Sequence, residues 1–161
     1  METNNEFGKA YIEWCRFRLM QQYWPRVERC ATELTEEEVW WRQHETNNSV
    51  GNLILHLSGN LRQFILSGVG GEKDTRNKEL EFSERQRIPK EELILGLKQA
   101  LLAADETLAR LDATRLLESV SVQNRDRRVF EVIAVVVDHF ALHCGQIIYI
   151  TKLKTGKDLK F

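Results

Sequence analysis

The stretch from Asp138 to Lys152 reads DHFALHCGQIIYITK and closes the longest segment of helical apolar periodicity in the chain. Apolar residues recur there every three to four positions, which is the spacing of one face of an α-helix. His139 and His143 are four residues apart, so in a helix their side chains lie one turn apart on the same side. Both fall within about 80° of the apolar centre of that helix, which places them in or beside a packed core.

The helical period recurs along the rest of the chain, which contains only two prolines. Four main helices are predicted, over about Asn5 to Leu34, Ser49 to Gly68, Pro89 to Leu111 and Val129 to Lys154. Four long amphipathic helices without a convincing strand ladder predict an all-α protein, an antiparallel four-helix bundle. The length of 161 residues fits one domain, residues 1–161, built around one core.

Local signals predict where these helices begin, end or change direction. Pro25 lies inside the first predicted helix and should kink or interrupt it, because proline lacks a backbone donor and clashes with the preceding turn. Thr35 with Glu38 forms a capping-box pattern, and Asn48 or Ser49 can cap the second helix. The predicted buried stripe of the first helix contains Phe7, Ala10, Tyr11, Trp14 and Phe17.

Two connections are irregular. The charged connection from Val69 to Ile88 is about twenty residues long, a length that compact domains normally keep for function or flexibility. We expect it to be mobile or to wrap an opening, and it is long enough for a crossover between helices. The stretch from Ala113 to Arg128 is predicted to form an extended turn or a hairpin-like excursion.

A third histidine, His56, lies in the second predicted helix, about 120° from the centre of its apolar stripe and thus at the edge of the core. Facing helices of a bundle can bring such side chains together. Three neutral imidazoles with an open fourth position form a catalytic type of zinc site, and the same nitrogens also accept nickel, iron or cobalt. The alternative interpretation is three core histidines bonded to backbone or carboxylate groups.

Two amides are candidates to support these histidines. Gln146 follows His143 by three residues and Asn60 follows His56 by four, so each can orient an imidazole or contact a bound ligand. Their alternative role is that of a buried amide bonded to the backbone.

Three other residues are weaker candidates. Cys144 points about 100° away from the side of the helix that carries His143 and is expected to be a packed thiol. His44 lies in a polar loop and is expected to be exposed. Arg62 could serve an anionic substrate, although an arginine on the rim of a helix usually forms surface pairs.

The charge and cysteine content narrow the function. The formal charge is -1, with 23 basic and 24 acidic residues, so no electrostatic argument supports binding to nucleic acid or to an anionic membrane. The three cysteines are scattered, as in a protein of the reducing cytoplasm, and no signal peptide is visible. The longest fully apolar run, Val132 to Val137, is too short to span a bilayer. The expected partners are small molecules or protein surfaces.

Two blocks carry a family resemblance. The sequence WWRQHETNNSVGNLILHLSGNLRQFI, from Trp40 to Ile65, together with the stretch from Asp138 to Lys152, resembles the DinB-like, or YfiT-like, metalloenzyme superfamily and its small bacterial DUF1572 proteins. The resemblance implies a four-helix bundle with an up-up-down-down style of crossover and frequent homodimerisation. It also implies a divalent metal, commonly zinc or nickel, bound by His56, His139 and His143.

The resemblance also implies a class of activity. Relatives of known activity include thiol-dependent transferases and isomerases that use low-molecular-weight thiols such as mycothiol or bacillithiol. The expected function is therefore a metal-dependent enzyme acting on a small molecule, either a thiol-dependent transferase or a hydrolase. No thiol-cofactor pocket is recognisable in the loops, and no catalytic acid or base stands out. The alternative is a dimeric, non-catalytic metal- or ligand-binding protein of a stress response.

Overall fold

The structure, a computed structural model, describes the backbone of residues 2–85 and 88–161 and the side chains from residue 5 onward within those ranges. It is mostly helical, and four long helical segments form the predicted bundle. The α-helices are α1 (Glu2–Phe17), α2 (Trp24–Glu33), α3 (Glu36–Val39), α4 (Val50–Leu61), α5 (Lys78–Ser83), α6 (Lys90–Ala109) and α7 (Val129–Thr155). The strands are β1 (Ser119–Val122) and β2 (Arg125–Arg128).

Two π-helical segments lengthen the first two long helices. Arg18–Tyr23 joins α1 to α2, and Arg62–Val69 continues α4. Pro25 lies in the first turn of α2, directly after the first π segment. A proline removes one backbone donor and clashes with the carbonyl four residues earlier, and the wider π turn in front of Pro25 accommodates both effects. The chain stays helical across Pro25, and the effect of the proline is a change from α- to π-helix in the segment before it.

The predicted buried stripe of α1 is wrong at most of its positions. Three of its four aromatic residues are exposed, Phe7 to 76%, Trp14 to 53% and Phe17 to 44%, whereas Tyr11 is partly buried against the core. The face that packs inward carries smaller residues, Gly8, Ile12, Cys15 and Leu19. A Cβ atom on Gly8 would lie 2.9 Å from the Cβ of Ala113. The close approach of α1 to the chain after α6 therefore requires the small residues, and the aromatic face is left outside.

The predicted capping signals are confirmed at two helices. The Thr35 hydroxyl accepts from the backbone N–H of Glu38, while the Glu38 carboxylate accepts from the Thr35 N–H. Ser49 and Asn52 form the same reciprocal pair at the start of α4. The predicted start of α6 is one residue early, because Pro89 precedes the helix as its N-cap residue.

Contacts between α7 and the first long helix fix their relative direction. The Tyr11 hydroxyl donates to the carbonyl of Phe130 at 2.7 Å. Twelve residues further along the first helix, the Tyr23 carbonyl accepts from the thiol of Cys144 at 3.8 Å. Both helices advance together, so the first long helix is parallel to α7.

The other two long helices run in the opposite direction. Arg16 pairs with Asp105, whereas Glu28, later in the first helix, pairs with Lys98, earlier in α6. The first long helix and α6 are therefore antiparallel, and α4 is antiparallel to α7. The order is up, down, down, up, in place of the expected up-up-down-down arrangement. The crossover lies between α4 and α6.

The core lies between the four long segments, with α7 in contact with α1, α2 and α4. The largest fully buried side chains are Phe140, Leu34, Leu53, Ile54, Leu57, Leu61, Ile65, Leu97, Leu101, Leu108, Ile133 and Ile147. By length and composition alone, the 27-residue α7 could cross a membrane. Core helices of bundles often share this property, so it carries no conclusion about location.

The connection between α4 and α6 contains a short helix, α5, that was not expected from its charged sequence. Asn77 caps α5 by accepting from the N–H of Leu80. Helix α5 packs against α4, so this part of the predicted connection wraps the bundle. Gln86 and Arg87 of the connection lie outside the described residues.

The predicted hairpin-like excursion is a β-hairpin. Strands β1 and β2 are antiparallel, with Ser119 opposite Arg128 and Val122 opposite Arg125. The two turn residues, Gln123 and Asn124, have φ values of 55° and 58°. Two consecutive positive φ values are typical of the tight turn that matches the twist of a hairpin.

Candidate metal centre

Helices α4 and α7 bring three histidines together. The Nε2 atom of His139 lies 3.0 Å from Nε2 of His56 and 3.1 Å from Nε2 of His143. One ring nitrogen from each of the three lies within 4.8 Å of the others. His56 lies on α4, and His139 and His143 lie one turn apart on α7.

These distances fit a shared divalent ion. Two nitrogens bound at about 2.0–2.1 Å to one ion lie about 3.3 Å apart in a tetrahedral site. At the same bond length they lie about 3.0 Å apart when they are neighbours in an octahedral site. The observed separations of 3.0 and 3.1 Å are close to both values. The donor set therefore suits a metal that accepts imidazole.

The other ring nitrogen of each histidine has a different environment. Nδ1 of His56 lies 2.8 Å from a carboxylate oxygen of Glu81, and Nδ1 of His143 lies 2.7 Å from the amide oxygen of Gln146. Because an oxygen acceptor requires the proton on Nδ1, the lone pair of each ring is on Nε2, toward the shared centre. Within the described residues, the buried Nδ1 of His139 has no hydrogen-bond partner.

A buried ion pair holds the carboxylate that contacts His56. Arg76 binds both oxygens of Glu81, through Nε at 2.7 Å and Nη2 at 2.8 Å, and the side chains are only 4% and 9% exposed. Burial alone would raise the pKa of Glu81. The hydrogen bonds from Arg76 and His56 outweigh burial and hold that pKa below its usual value. Glu81 is therefore a charged acceptor for the ring of His56.

Arg76 is in turn positioned by an outer layer of hydrogen bonds. Its backbone N–H donates to Asp74, and its Nη1 donates to the amide oxygen of Gln63 at 2.9 Å. The same oxygen accepts from Gln123 in the hairpin turn at 2.7 Å, and the Gln63 amide donates to Asp74 at 2.8 Å. The crossover connection and the hairpin thus both support the position of His56.

Helix α5 covers His56. The ring of Phe82 lies 4.7 Å from the imidazole, and His56 is only 5% exposed. His139 and His143 are half-buried. The prediction that His56 lies at the edge of the core is wrong, because His56 is buried. The apolar stripe of α4 describes contacts with the other long helices and carries no information about the cover that α5 provides.

The environment keeps both α7 histidines neutral. Burial, followed by the neighbouring His143 and His56, lowers the pKa of His139 to about 4. Burial also lowers the pKa of His143, against a smaller opposite effect of its hydrogen bond to Gln146. Neutral imidazoles near neutral pH are the form that binds metal ions.

The remaining candidates lie apart from this cluster. Asn60 is buried but makes no hydrogen bond to the three histidines within the described part of the chain. Cys144 is a packed thiol, as expected; burial raises its pKa to about 11, and it donates to the Tyr23 carbonyl. His44 and Arg62 are both exposed.

The sequence does not single out Glu81, Arg76 or Phe82. All three lie in the charged connection after α4, where acids and bases are usually solvated. The one local signal is Asn77, whose side chain can cap a short helix and so order the segment. Nothing local distinguishes the buried Glu81 from its exposed neighbour Glu79, because the difference arises from packing on α4.

Comparison with solved structures supports the fold. The crystal structure of a DinB-like protein from Bacillus cereus ATCC 10987 superimposes with a TM-score of 0.68 and 16% sequence identity. The superposition covers 86% of this chain and 89% of that one. At this identity the similarity shows a DinB-like fold and nothing further. No curated protein matches the chain.

The sequence match to a family covers nearly the whole chain. The family is described as "Protein of unknown function (DUF1572)", and its match extends over residues 6–161. It includes every helix that contributes to the histidine cluster. The chain therefore belongs to the DUF1572 family, on a DinB-like fold.

Proposed function

We propose that this protein is a metal-dependent enzyme, a thiol-dependent transferase or a hydrolase, whose divalent ion is bound by His56, His139 and His143. The observation that carries the proposal is the convergence of three Nε2 atoms, two of them 3.0 and 3.1 Å from the third. The proposed ion is zinc or nickel, both of which accept imidazole ligands.

The number of ligands favours catalysis over a structural role. Structural zinc sites are closed by four protein ligands, whereas catalytic sites use three and leave a position for water or substrate. Among the described residues, the group of His, Cys, Asp and Glu side chains that could hold an ion contains only the three histidines. The nearby carboxylate of Glu81 accepts hydrogen bonds from Arg76 and from Nδ1 of His56, the ring nitrogen that faces away from the cluster. It is therefore not a fourth ligand.

Each supporting residue has a defined task in this proposal. Glu81 accepts from Nδ1 of His56 and so fixes the tautomer and orientation of that ring, while Gln146 does the same for His143. A divalent ion, when bound, supplies the positive charge that lowers the pKa of a thiol or a water molecule and so provides a nucleophile at neutral pH. The half-buried His139 and His143 keep this position near the surface of the bundle.

One observation favours the non-catalytic alternative, a metal- or ligand-binding protein of a stress response. The carboxylate nearest the histidines has a lowered pKa and is held by an arginine, so Glu81 is a poor general acid or base. Catalysis without such a group requires that the proton of the nucleophile leave to solvent.

The proposal extends to setting and assembly. All three cysteines are buried free thiols, which supports a reducing cytoplasm. The exposed, stacked rings of Trp14 and Phe17 on α1 support a homodimer that covers them. The substrate in this proposal is a small molecule, and neither nucleic acid nor a membrane is a partner.

Turnover assays with defined metals test the enzyme proposal. Untagged protein loaded with zinc, nickel or manganese is assayed for transfer of small thiols to electrophiles and for hydrolysis of esters and amides. We expect metal-dependent turnover that is lost in His139→Ala and His143→Ala and retained in His44→Ala, which changes an exposed histidine. Absence of turnover across this screen, in protein that binds one ion at the histidines, would instead support the binding protein.

A further inference from the structure

A cavity of about 320 Å³ lies in the groove between the loop of residues 41–48 and the second half of α7, with Leu53 of α4 in its wall. Its wall contains Leu53, three residues before His56, and Gln146, three residues after His143. Three to four residues make one turn of an α-helix, about 5.4 Å along its axis. The cavity therefore begins about one helical turn from the imidazoles, and Gln146 belongs to both places.

The cavity wall contains an arginine, Arg42, that has no ion-pair partner among the described residues. Arg42 lines the cavity and is half-buried, and its Nη2 donates a long hydrogen bond of 3.4 Å to the amide oxygen of Asn52. Burial lowers the pKa of Arg42, and the nearby Arg85 lowers it further, with Glu45 acting in the opposite direction. A guanidinium in such a place favours an anion as its partner.

The other walls of the cavity suit the remainder of a small organic anion. Trp41 and Tyr149 supply aromatic surface, and Lys154 lies over the Trp41 ring, 4.6 Å from its centroid. Among the described residues that line the cavity, Arg42 is the one charged side chain, and Lys154 lies beside the wall, over Trp41.

The larger cavity, about 690 Å³ on the far side of α4, differs in its charges. Its wall contains Arg76 and Glu81, which neutralise each other, together with Asp74, which accepts hydrogen bonds from two neighbours. The wall also carries the bases Arg62, Lys73 and Arg85 and the acids Glu72 and Glu84, so charges of both signs line this cavity. The smaller cavity differs because Arg42 is the one charged side chain among the described residues that line it.

We propose that the groove cavity binds the carboxylate of the substrate, with Arg42 as its anchor, and so orients the rest of that substrate toward the three histidines. The inference rests on the proposed function, because it assigns the reacting end of the substrate to the histidine cluster. It makes Arg42 a residue that determines specificity for small organic acids over their neutral analogues.

The test uses cobalt(II)-loaded, untagged protein and two thiols of the same shape, mercaptopropionate and its neutral amide, mercaptopropionamide. The absorption that appears when a thiolate binds cobalt reports the affinity for each thiol without any turnover. A charge-assisted hydrogen bond to arginine predicts that the carboxylate binds about tenfold to a hundredfold more tightly than the amide. Arg42→Gln should bind both thiols equally, and Arg42→Lys should recover part of the preference.

Arg62→Gln is the matched control, because it removes an exposed arginine outside the groove cavity. It should keep the full preference for the carboxylate. Equal binding of the two thiols by the unaltered protein would overturn the inference, as would an undiminished preference in Arg42→Gln or an equal loss in Arg62→Gln.

A second measurement separates this inference from the metal site. Metal-free protein is titrated with butyrate or butyramide while the indole N–H of Trp41 and the amide of Gln146 are followed by NMR. Shifts caused by butyrate alone, and absent in Arg42→Gln, support the anion site even if cobalt fails to bind at the histidines, which would refute only the proposed function. Identical responses to both compounds overturn the anion site.

Discussion

Replacing Glu81 with glutamine should weaken metal binding although Glu81 contacts no metal. Its carboxylate accepts from Nδ1 of His56 at 2.8 Å, and it also neutralises Arg76, whose Nη2 lies 3.1 Å from the same Nδ1. In Glu81→Gln the ring keeps an acceptor at best but loses the negative charge that makes it a stronger ligand. The guanidinium then faces the imidazole without compensation.

The size of the effect follows from these two contacts. Loss of the partner that orients a metal-binding histidine typically costs about tenfold to a hundredfold in affinity, or about 1.4–2.7 kcal/mol. Folding stability should fall as well, by about 3–5 kcal/mol, because Arg76, 4% exposed in its side chain, becomes a buried charge without a partner. The double variant Glu81→Gln with Arg76→Met removes that stranded charge and should recover part of the stability.

The assay is a competition titration of zinc or nickel between the protein and a chelator of known affinity, combined with urea unfolding of the metal-free protein. Glu79→Gln, which changes an exposed acid in the same short helix, is the control and should leave both quantities unchanged. If Glu81→Gln and its double variant bind metal as tightly as Glu79→Gln does, the proposed support of His56 is wrong.

Three further predictions follow from the same contacts. Gly59→Ala should weaken metal binding in the same chelator titration, because its Cβ would clash with a carboxylate oxygen of Glu81. The control Gly96→Ala has open space around it and should leave metal affinity unchanged, while adding up to about 1 kcal/mol of folding stability. Equal metal affinities in the two variants would contradict this prediction. The metal-free protein should lose stability as pH falls from 6.5 toward 4, since the pKa of His139 is lowered from 6.5 to about 4 and the unfolded chain binds the proton first. Urea unfolding across this pH range should show a smaller loss of stability in His139→Asn. The same dependence of unfolding free energy on pH in both proteins would contradict the lowered pKa of His139. Ser49→Ala removes the cap of α4 and should lower the urea-derived stability by about 1 kcal/mol, with no change if the cap contributes nothing.

Much of the fold follows from local sequence rules. The four long helices, both capping boxes and the hairpin depend on residue types within a few positions of one another, as at Ser49 and Asn52. The buried face of α1 does not follow from local rules, because it depends on which part of the chain packs against the helix. Gly8 allows the Cβ of Ala113 to come close. The small-residue face of α1 therefore packs inward, and the face with the larger aromatic residues is exposed.

The histidine cluster divides in the same way. The spacing of His139 and His143 on one helix predicts their proximity, and the resemblance of two sequence blocks adds His56. The support of His56 comes instead from a segment twenty to twenty-five residues further along the chain, which carries Arg76 and Glu81. No periodicity connects those positions, because the contact arises only when α5 packs onto α4.

The most direct test of the central claim is the metal stoichiometry of untagged protein, measured by equilibrium dialysis with zinc or nickel followed by elemental analysis. We expect one tightly bound ion per chain, lost in each of His56→Ala, His139→Ala and His143→Ala and retained in His44→Ala. Folding of each variant is checked by circular dichroism, so that loss of the ion is not confused with loss of the bundle. Equal metal retention in folded variants of the three clustered histidines would contradict the account.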